Sequence, residues 1–351
     1  MRSKGFAVVL AGMFLSSILV LEWRFSNVFD LSYLSMVIVV FIFLFFVFML
    51  GMYVGRTWDI PYITKRNEWS VGIYTGNSPL DLKPVVDAMN PVLSAKDITD
   101  IPAHFVADPF MVKKDSKWFM FVEILNARTQ KGEIGFAVSD DALRWTYKQI
   151  ALEEPFHLSY PYVFEWGGEY YMIPESSQVY AVRLYKASNF PVGWSFVTNL
   201  LYGRSFKDSS VFRYDDIWWM FTTDRNDYLL LYYSDNLLGP WIEHPKSPVV
   251  RGDVNAARPG GRVVVSDNRI IRYVQKGTPE NGFYVLAFEV TELTTLTYKD
   301  MPVAENPILK AGNNKWNKKG GHTIDAHRIT TDKWIACVDG IRKSLVVGVD
   351  Y

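Results

Sequence analysis

Two sets of polar side chains recur along this chain at intervals of about fifty residues, the period of a repeat architecture. One set ends short apolar runs: Glu123 after Trp118-Phe119-Met120-Phe121-Val122, Glu175 after Tyr170-Tyr171-Met172-Ile173-Pro174, then Asp224, Gln275 and Asp339 after similar runs. The other set opens the preceding run: Asp108, His157 with Tyr160, Asp208, Arg258 with Arg262, and His322 with Asp325. Carboxylates gathered between aromatic walls suit glycosidic-bond chemistry. One acid protonates the leaving oxygen while another carboxylate activates water or attacks carbon. Crowded carboxylates raise one another's pKa, so one of them keeps its proton near neutrality. We read Asp108 as base or nucleophile, Glu175 as acid, and Asp208 as the group that tunes the acid. Glu123, His157, Tyr160, Arg258, Arg262, His322 and Asp325 are read as substrate-binding.

Each assignment has an architectural counterpart. Acids that recur at strand ends can cap turns by accepting backbone N–H bonds, which applies most to Glu123, Asp224 and Asp339. The arginines can hold a phosphate or carboxylate of a ligand. Gly260 and Gly261, between Arg258 and Arg262, let backbone approach a ligand or form a bulge. His322, Asp325 and His327 do not share one face of a strand, so no metal site is expected and no cofactor is implied. His104 and His244 read as loop residues.

The elements that must position these side chains are strands. From Trp69 onward the chain reads as short alternating runs with turn residues between them, and no long stretch has helical period. The turns include Lys114-Asp115-Ser116-Lys117, Trp166-Gly167-Gly168-Glu169 and Tyr214-Asp215-Asp216. Further junctions lie at Ser139 to Trp145, Ser188 to Trp194 and Ser234 to Trp241, so each unit holds four strands. Four strands per unit make a propeller blade. The expectation is an all-β, five-bladed β-propeller over 69–351. Ala304 to Lys319 is an insertion, and the last blade reaches Tyr351 after three strands. Trp69 to Tyr74 is expected to complete that blade and close the ring, which removes exposed edges.

Before the repeat the chain is apolar. No charged residue occurs from Gly5 to Leu21 or from Leu31 to Gly55, and about 20 apolar residues span a bilayer as a helix. The first run lacks a small-x-small cleavage site after Leu21, so it reads as a span rather than a signal peptide. The expectation is a transmembrane helical hairpin over 1–55 (about 5–21 and 31–55), with a linker over 56–68. Arg2, Lys4, Arg56, Lys65 and Arg66 flank the hairpin, which places both ends, and the propeller, in the cytoplasm.

Composition narrows the function. The 37 basic and 37 acidic residues balance, which argues against nucleic acid as a partner. The single cysteine, Cys337, excludes an internal disulfide and reads as a buried strand residue.

The motifs also carry a resemblance. Ala107-Asp108-Pro109-Phe110, Phe121-Val122-Glu123, His157-Leu158-Ser159-Tyr160-Pro161, Met172-Ile173-Pro174-Glu175-Ser176, Gly239-Pro240-Trp241, Ala257-Arg258-Pro259-Gly260-Gly261 and Gly321-His322-Thr323 resemble one propeller family. It is the N-terminal domain of glucosamine inositolphosphorylceramide transferases, with plant and bacterial members, and the likeness runs from about Trp69 to Val347. More distantly the chain is similar to five-bladed glycoside hydrolases of families 43, 32 and 130. In the plant members the resemblance assigns transfer to a separate C-terminal glycosyltransferase domain, and this chain is expected to end with the propeller. The hydrolases use a blade-one Asp, matched by Asp108, a blade-two Asp, where Tyr160 stands here, and a blade-three Glu, where Asp208 stands. The resemblance implies a membrane-anchored carbohydrate-active protein of envelope polysaccharide or glycolipid metabolism. Its partners would be a glycan or glycolipid substrate, the membrane and polysaccharide-assembly proteins. Two other readings stay open: a non-catalytic glycan-binding or scaffolding module, and a glycosyltransferase on a propeller frame.

Overall fold

A computed structural model of the chain describes residues 31–57, 62–85, 89–278, 282–313 and 315–348. The chain divides into two units, Met1–Thr64 with Val347–Tyr351, and Lys65–Val346. In the first, helix α1 (Leu31–Thr57) leaves Phe41, Phe43, Phe45 and Phe46 exposed. A helix apolar on every side is matched to lipid rather than water. Its stretch Leu34–Tyr53 is long and apolar enough to cross a membrane. One such helix is found among the described residues. The second expected span, 5–21, lies outside them.

The second unit is the expected ring. Strands β1 (Tyr62–Ser78) and β2 (Asp81–Pro84) come first. Blade one holds β3 (Ala103–Lys114), β4 (Lys117–Asn126), β5 (Gly132–Ser139) and β6 (Thr146–Leu152). Blade two holds β7 (Ser159–Trp166), β8 (Glu169–Glu175), β9 (Ala181–Asn189) and β10 (Val192–Tyr202). Blade three holds β11 (Lys207–Tyr214), β12 (Ile217–Thr223), β13 (Leu229–Ser234) and β14 (Ile242–Glu243). Blade four holds β15 (Val264–Ser266), β16 (Arg269–Thr278), β17 (Gly282–Leu293) and β18 (Tyr298–Pro302). Blade five pairs β19 (Ile324–Thr330) and β20 (Lys333–Gly348) with β1 and β2.

Local chemistry explains the repeat. The first hairpins of blades two, three and four turn on residues that accept positive φ. Gly167 and Gly168, Asp215 and Asp216, and Asp267 and Asn268 supply them, with φ between 51° and 80°. At the outer hairpins a tryptophan locks the turn. Trp145, Trp194 and Trp241 donate Nε1–H to Ala142, Pro191 and Leu237 carbonyls at 3.0, 2.8 and 3.1 Å. Asp141 accepts from the N–H of Leu143 and Arg144 at 2.9 and 2.8 Å, and Asn236 from Leu238 at 2.9 Å. Between blades the fully buried rings of Phe110, Phe121, Tyr160, Tyr162, Tyr185 and Trp219 fill the core. Cys337 is fully buried in β20, and burial pushes its thiol far up, as an inert packed thiol requires.

Three details differ from expectation. The C-terminal segment gives blade five two strands rather than three, because Lys333–Gly348 runs as one long strand; β1 and β2 supply the rest. Arg258 to Gly261 does not start a regular strand. Gly261 instead bridges Ile324 of blade five, where a Cβ would lie 1.7 Å from the Ile324 carbonyl oxygen, so its glycine serves backbone rather than ligand. His104 lies in β3 rather than in a loop, beside Arg66 and Gln130; His244 does lie in the loop after β14, buried with Nε2 at 2.8 Å from the Thr294 carbonyl.

Closing the ring with strands from distant parts of the chain makes β1 part of the cooperative unit. Deleting 62–78 strips β20 of its partner and exposes an edge. The truncated protein is expected to aggregate or to melt at least about 10 °C lower, measured by thermal unfolding in detergent. Unchanged melting would show that blade five does not close the ring.

Candidate functional site

The first strands of blades one, two and three break register at one equivalent place. The breaks fall between Ala107 and Phe110, Ser159 and Tyr162, and Lys207 and Ser210. Inside them Asp108, Tyr160 and Asp208 have φ of 49°, 46° and 49°. Left-handed backbone costs a non-glycine residue about 1–3 kcal/mol and persists only where its surroundings enforce it. Here it turns the three side chains out of the strand pleat toward neighbouring blades. Asp108 Oδ2 accepts the Tyr160 N–H at 3.2 Å, and Oδ1 accepts the Thr323 hydroxyl at 2.7 Å, joining blades five, one and two.

Asp208 anchors the next part of the ring. Its Oδ2 accepts Arg258 Nε at 2.5 Å and Gln275 Nε2 at 2.7 Å, both from blade four. Gln275 Nε2 also donates to the Pro259 carbonyl at 2.8 Å, which fixes the amide. Glu175, at the end of β8, lies beside this cluster. Its Oε1 accepts the Ser177 hydroxyl at 2.8 Å. Its Oε2 is buried without a hydrogen-bond partner, 3.8 Å from Arg258 Nη2. Burial first, then the charge of Asp208, hold Glu175 well above the usual carboxylate range; Arg258 and Ser177 offset only part of this. Burial and Asp208 together favour the protonated form of Glu175. Burial opposes the charge on Arg258, but Asp208 and Glu175 more than restore it.

A histidine dyad lies on the other side of Asp108. His322 Nδ1 is 2.5 Å from Asp339 Oδ2, while Asp339 Oδ1 accepts the N–H of His322 and Thr323 at 2.7 and 3.0 Å. The ring of His322 stacks on Trp69 at 4.1 Å, with Phe283 edge-on at 5.6 Å. Burial lowers its pKa, but Asp339 by charge and hydrogen bond, then Asp108, raise it to about 9 against Arg258. Burial pushes Asp108 up to about 7 despite the nearby His322; Glu123, Asp339 and Asp208 add to the rise. Ligand atoms of Asp108, His322 and Asp339 lie within 4.8 Å of one another, so these three could hold a cation. A cation would have to displace the Nδ1 proton that joins His322 to Asp339.

His157 is set differently. Gly132 N–H donates to its Nδ1 at 2.9 Å, so Nε2 carries the proton and faces Glu123 Oε1 at 3.2 Å. A Cβ on Gly132 would lie 2.3 Å from the Leu158 carbonyl oxygen, so only glycine permits this approach. Burial pushes the His157 pKa down; Glu123, by hydrogen bond and charge, and Asp108 bring about a net rise.

The structure thus gathers Asp108, Glu123, His157, Glu175, Asp208, Arg258 and His322. It does not bring the other three residues read from sequence into this cluster. Tyr160 is fully buried and acts as a plug: its hydroxyl is 2.9 Å from Ser210 Oγ, and it accepts the Gly261 N–H at 2.7 Å. Arg262 and Asp325 pair at 2.6 Å further along the first strands, where Arg262 Nη2 also donates to the Val163 carbonyl at 2.8 Å. Asp325 accepts the Met111 N–H at 2.6 Å and faces His327 Nε2 at 2.9 Å. Burial opposes its charge, but Arg262 and His327 keep it below the usual carboxylate range. Arg262 and His327 line a cavity of about 650 Å³, with Trp166, Trp218 and Trp334. Asp224 caps its own turn, accepting Asn226 and Tyr228 N–H at 2.8 and 3.1 Å. The sequence reading missed Thr323, Ser177 and Trp69, for which no local signal exists.

The family model described as "Glucosamine inositolphosphorylceramide transferase 1, N-terminal" matches residues 64–341. The glucosamine inositolphosphorylceramide transferase 1 of Oryza sativa subsp. japonica is 36% identical over 301 residues, covering 79% of this chain and 40% of the relative. That of Arabidopsis thaliana is 31% identical over 301 residues, covering 79% and 39%. The chain therefore spans only about 40% of the length of these curated relatives. Among solved structures, a glycosyl hydrolase from Bacteroides ovatus is similar with TM-score 0.54 and 10% identity, over 74% of this chain and 92% of its own. A thermostable family-43 glycoside hydrolase is similar with TM-score 0.51 and 13% identity, over 69% and 92%. At such identities the likeness is one of fold. The extent of the family match and the identity to the plant relatives lead to one conclusion: this chain belongs to the family of the glucosamine inositolphosphorylceramide transferase 1 N-terminal domain.

Proposed function

We propose that this cluster is an active site that breaks or transfers a glycosidic bond in a glycan or glycolipid. The observation that carries the reading is Glu175, a buried carboxyl with one oxygen without a partner, which burial and Asp208 push toward its protonated form. An acid so held can give its proton to a leaving glycosidic oxygen. Asp108 is the carboxylate that activates the attacking group or attacks carbon. Arg258 and Gln275 hold Asp208 in place, so Asp208 acts on Glu175 and not on substrate. His157 and His322 offer donors to sugar hydroxyls, and Glu123 orients His157. The relatives' name favours glycosyl transfer, and the similar solved structures favour hydrolysis; the same two roles serve both.

We further propose that α1 anchors the protein in a membrane, that 5–21 forms a second span, and that the propeller faces the cytoplasm, in the metabolism of envelope polysaccharide or glycolipid. Positive charges on both flanks of the apolar region support this orientation. A reporter fused after Tyr351 is expected to be active only as a cytoplasmic fusion; activity on the far side of the membrane would overturn it.

Glu175→Gln and Asp108→Asn are each expected to lower turnover by about 10²–10⁴-fold, in assays of the full chain against glycans and sugar nucleotides. Turnover unaffected by both changes would sink the assignment, and binding without turnover would favour a glycan-binding module.

Activity should also depend on pH with a defined sign. Asp108 works ionised, so the rate is expected to fall as pH drops through about 7. Glu175 works protonated and its pKa is raised, so the rate should fall on the alkaline side as that proton is lost, at a pH above the usual carboxylate range. A rate that is maximal below pH 5 would contradict both roles.

A further inference from the structure

We propose that Tyr180 is the ring on which the sugar on the leaving-group side of the scissile bond stacks. This rests on the reading of Glu175 as the acid, since the acid stands on the leaving-group side. The chain leaves Glu175 through a single 3-10 turn, Ser177–Val179, and that turn is tied to the site. Ser177 Oγ donates to Glu175 Oε1 at 2.8 Å, and Gln178 Oε1 accepts the His157 N–H at 3.1 Å. Ser176 Oγ donates to the Ala181 carbonyl at 2.9 Å and closes the turn.

Tyr180 ends this turn with φ 55° and ψ 38°. Glycine would adopt that conformation without strain, and a bulky side chain rarely does. Among the described residues with positive φ, the aromatic ones are Tyr160 and Tyr180. The plug accounts for Tyr160. Tyr180 leaves its side of the turn 46% exposed. Its backbone carbonyl accepts the Gly203 N–H at 2.8 Å, a bond that any residue can make, so the backbone does not require tyrosine. The side chain does have a partner. Arg225, from the loop after β12, lies 5.2 Å from the ring centroid and donates to the hydroxyl at 3.3 Å. Asp224 caps that loop and fixes its course. Blades two and three together therefore hold an open aromatic ring, on a strained backbone, at the end of the turn that follows the acid. The C–H face of a sugar is attracted to the negative face of such a ring. The exposed guanidinium of Arg225 can donate to the sugar's hydroxyls.

The test is saturation-transfer NMR of the full chain in detergent, with short arabino-, galacto-, manno- and glucosamine oligosaccharides as probes. Tyr180→Phe is expected to bind as the unmodified protein does. Tyr180→Ala and Tyr180→Gly should bind about tenfold more weakly. Tyr180→Gly should melt no lower than the unmodified protein, because glycine relieves the strain. Binding that survives Tyr180→Ala while Arg258→Ala loses it would overturn the platform and leave the Glu175 site standing. A large fall in melting temperature for Tyr180→Gly would make Tyr180 a fold residue and also overturn it. Failure of the unmodified protein to bind any probe would count against the glycan site itself, and the platform would fall with it.

Discussion

Carboxylates buried near the axis of a ring must find partners, and here the partners come from other blades. Asp108 of blade one takes a hydroxyl from blade five and an N–H from blade two. Asp208 of blade three takes two donors from blade four. Leaving a buried charge unpaired costs several kcal/mol, so each bond also clamps one blade against another. The site and the closure of the ring are thus one set of contacts. Glu175 is the exception that gives the cluster chemistry. Burial and the charge of Asp208 push it toward its protonated form, although Arg258 lies 3.8 Å away.

Strain follows from the same requirement. A regular strand would point Asp108, Tyr160 and Asp208 along the alternating pleat. Breaking the register and turning φ positive redirects all three. Strand pairing on either side of each break enforces the conformation. Tyr160 shows what one substitution does within this frame. Placed where the other two blades carry an acid, its ring crosses to blade four and its hydroxyl binds the backbone of Gly261. The cluster is thereby closed below, and the long apolar ring does in blade two what charge pairing does elsewhere.

The blade count was legible because its signals are local. Hairpin residues and terminal polar residues recur from unit to unit, tryptophan locks mark the first three blades, and the closing strand was legible from Trp69 to Tyr74. Which residues meet was less so. Thr323 and Asp108 are separated by most of the ring, and nothing beside either one announces the bond. Arg258 and Arg262 looked equivalent in sequence. The chain between them leaves regular strand geometry, so Arg258 turns to Asp208 and Arg262 to Asp325. Asp339 was read as a turn cap. It does accept two backbone N–H bonds, and with its other oxygen it also holds His322.

The central claim is that Glu175 holds a proton at neutral pH because Asp208 and burial forbid it a charge. Infrared difference spectroscopy of the full chain against Glu175→Gln, at pH 7 in H₂O and D₂O, reads that proton directly. The expected result is a protonated-carboxyl C=O band, shifted by deuterium, that is present in the unmodified protein and missing from the variant. A difference spectrum showing only the paired bands of an ionised carboxylate would contradict the account.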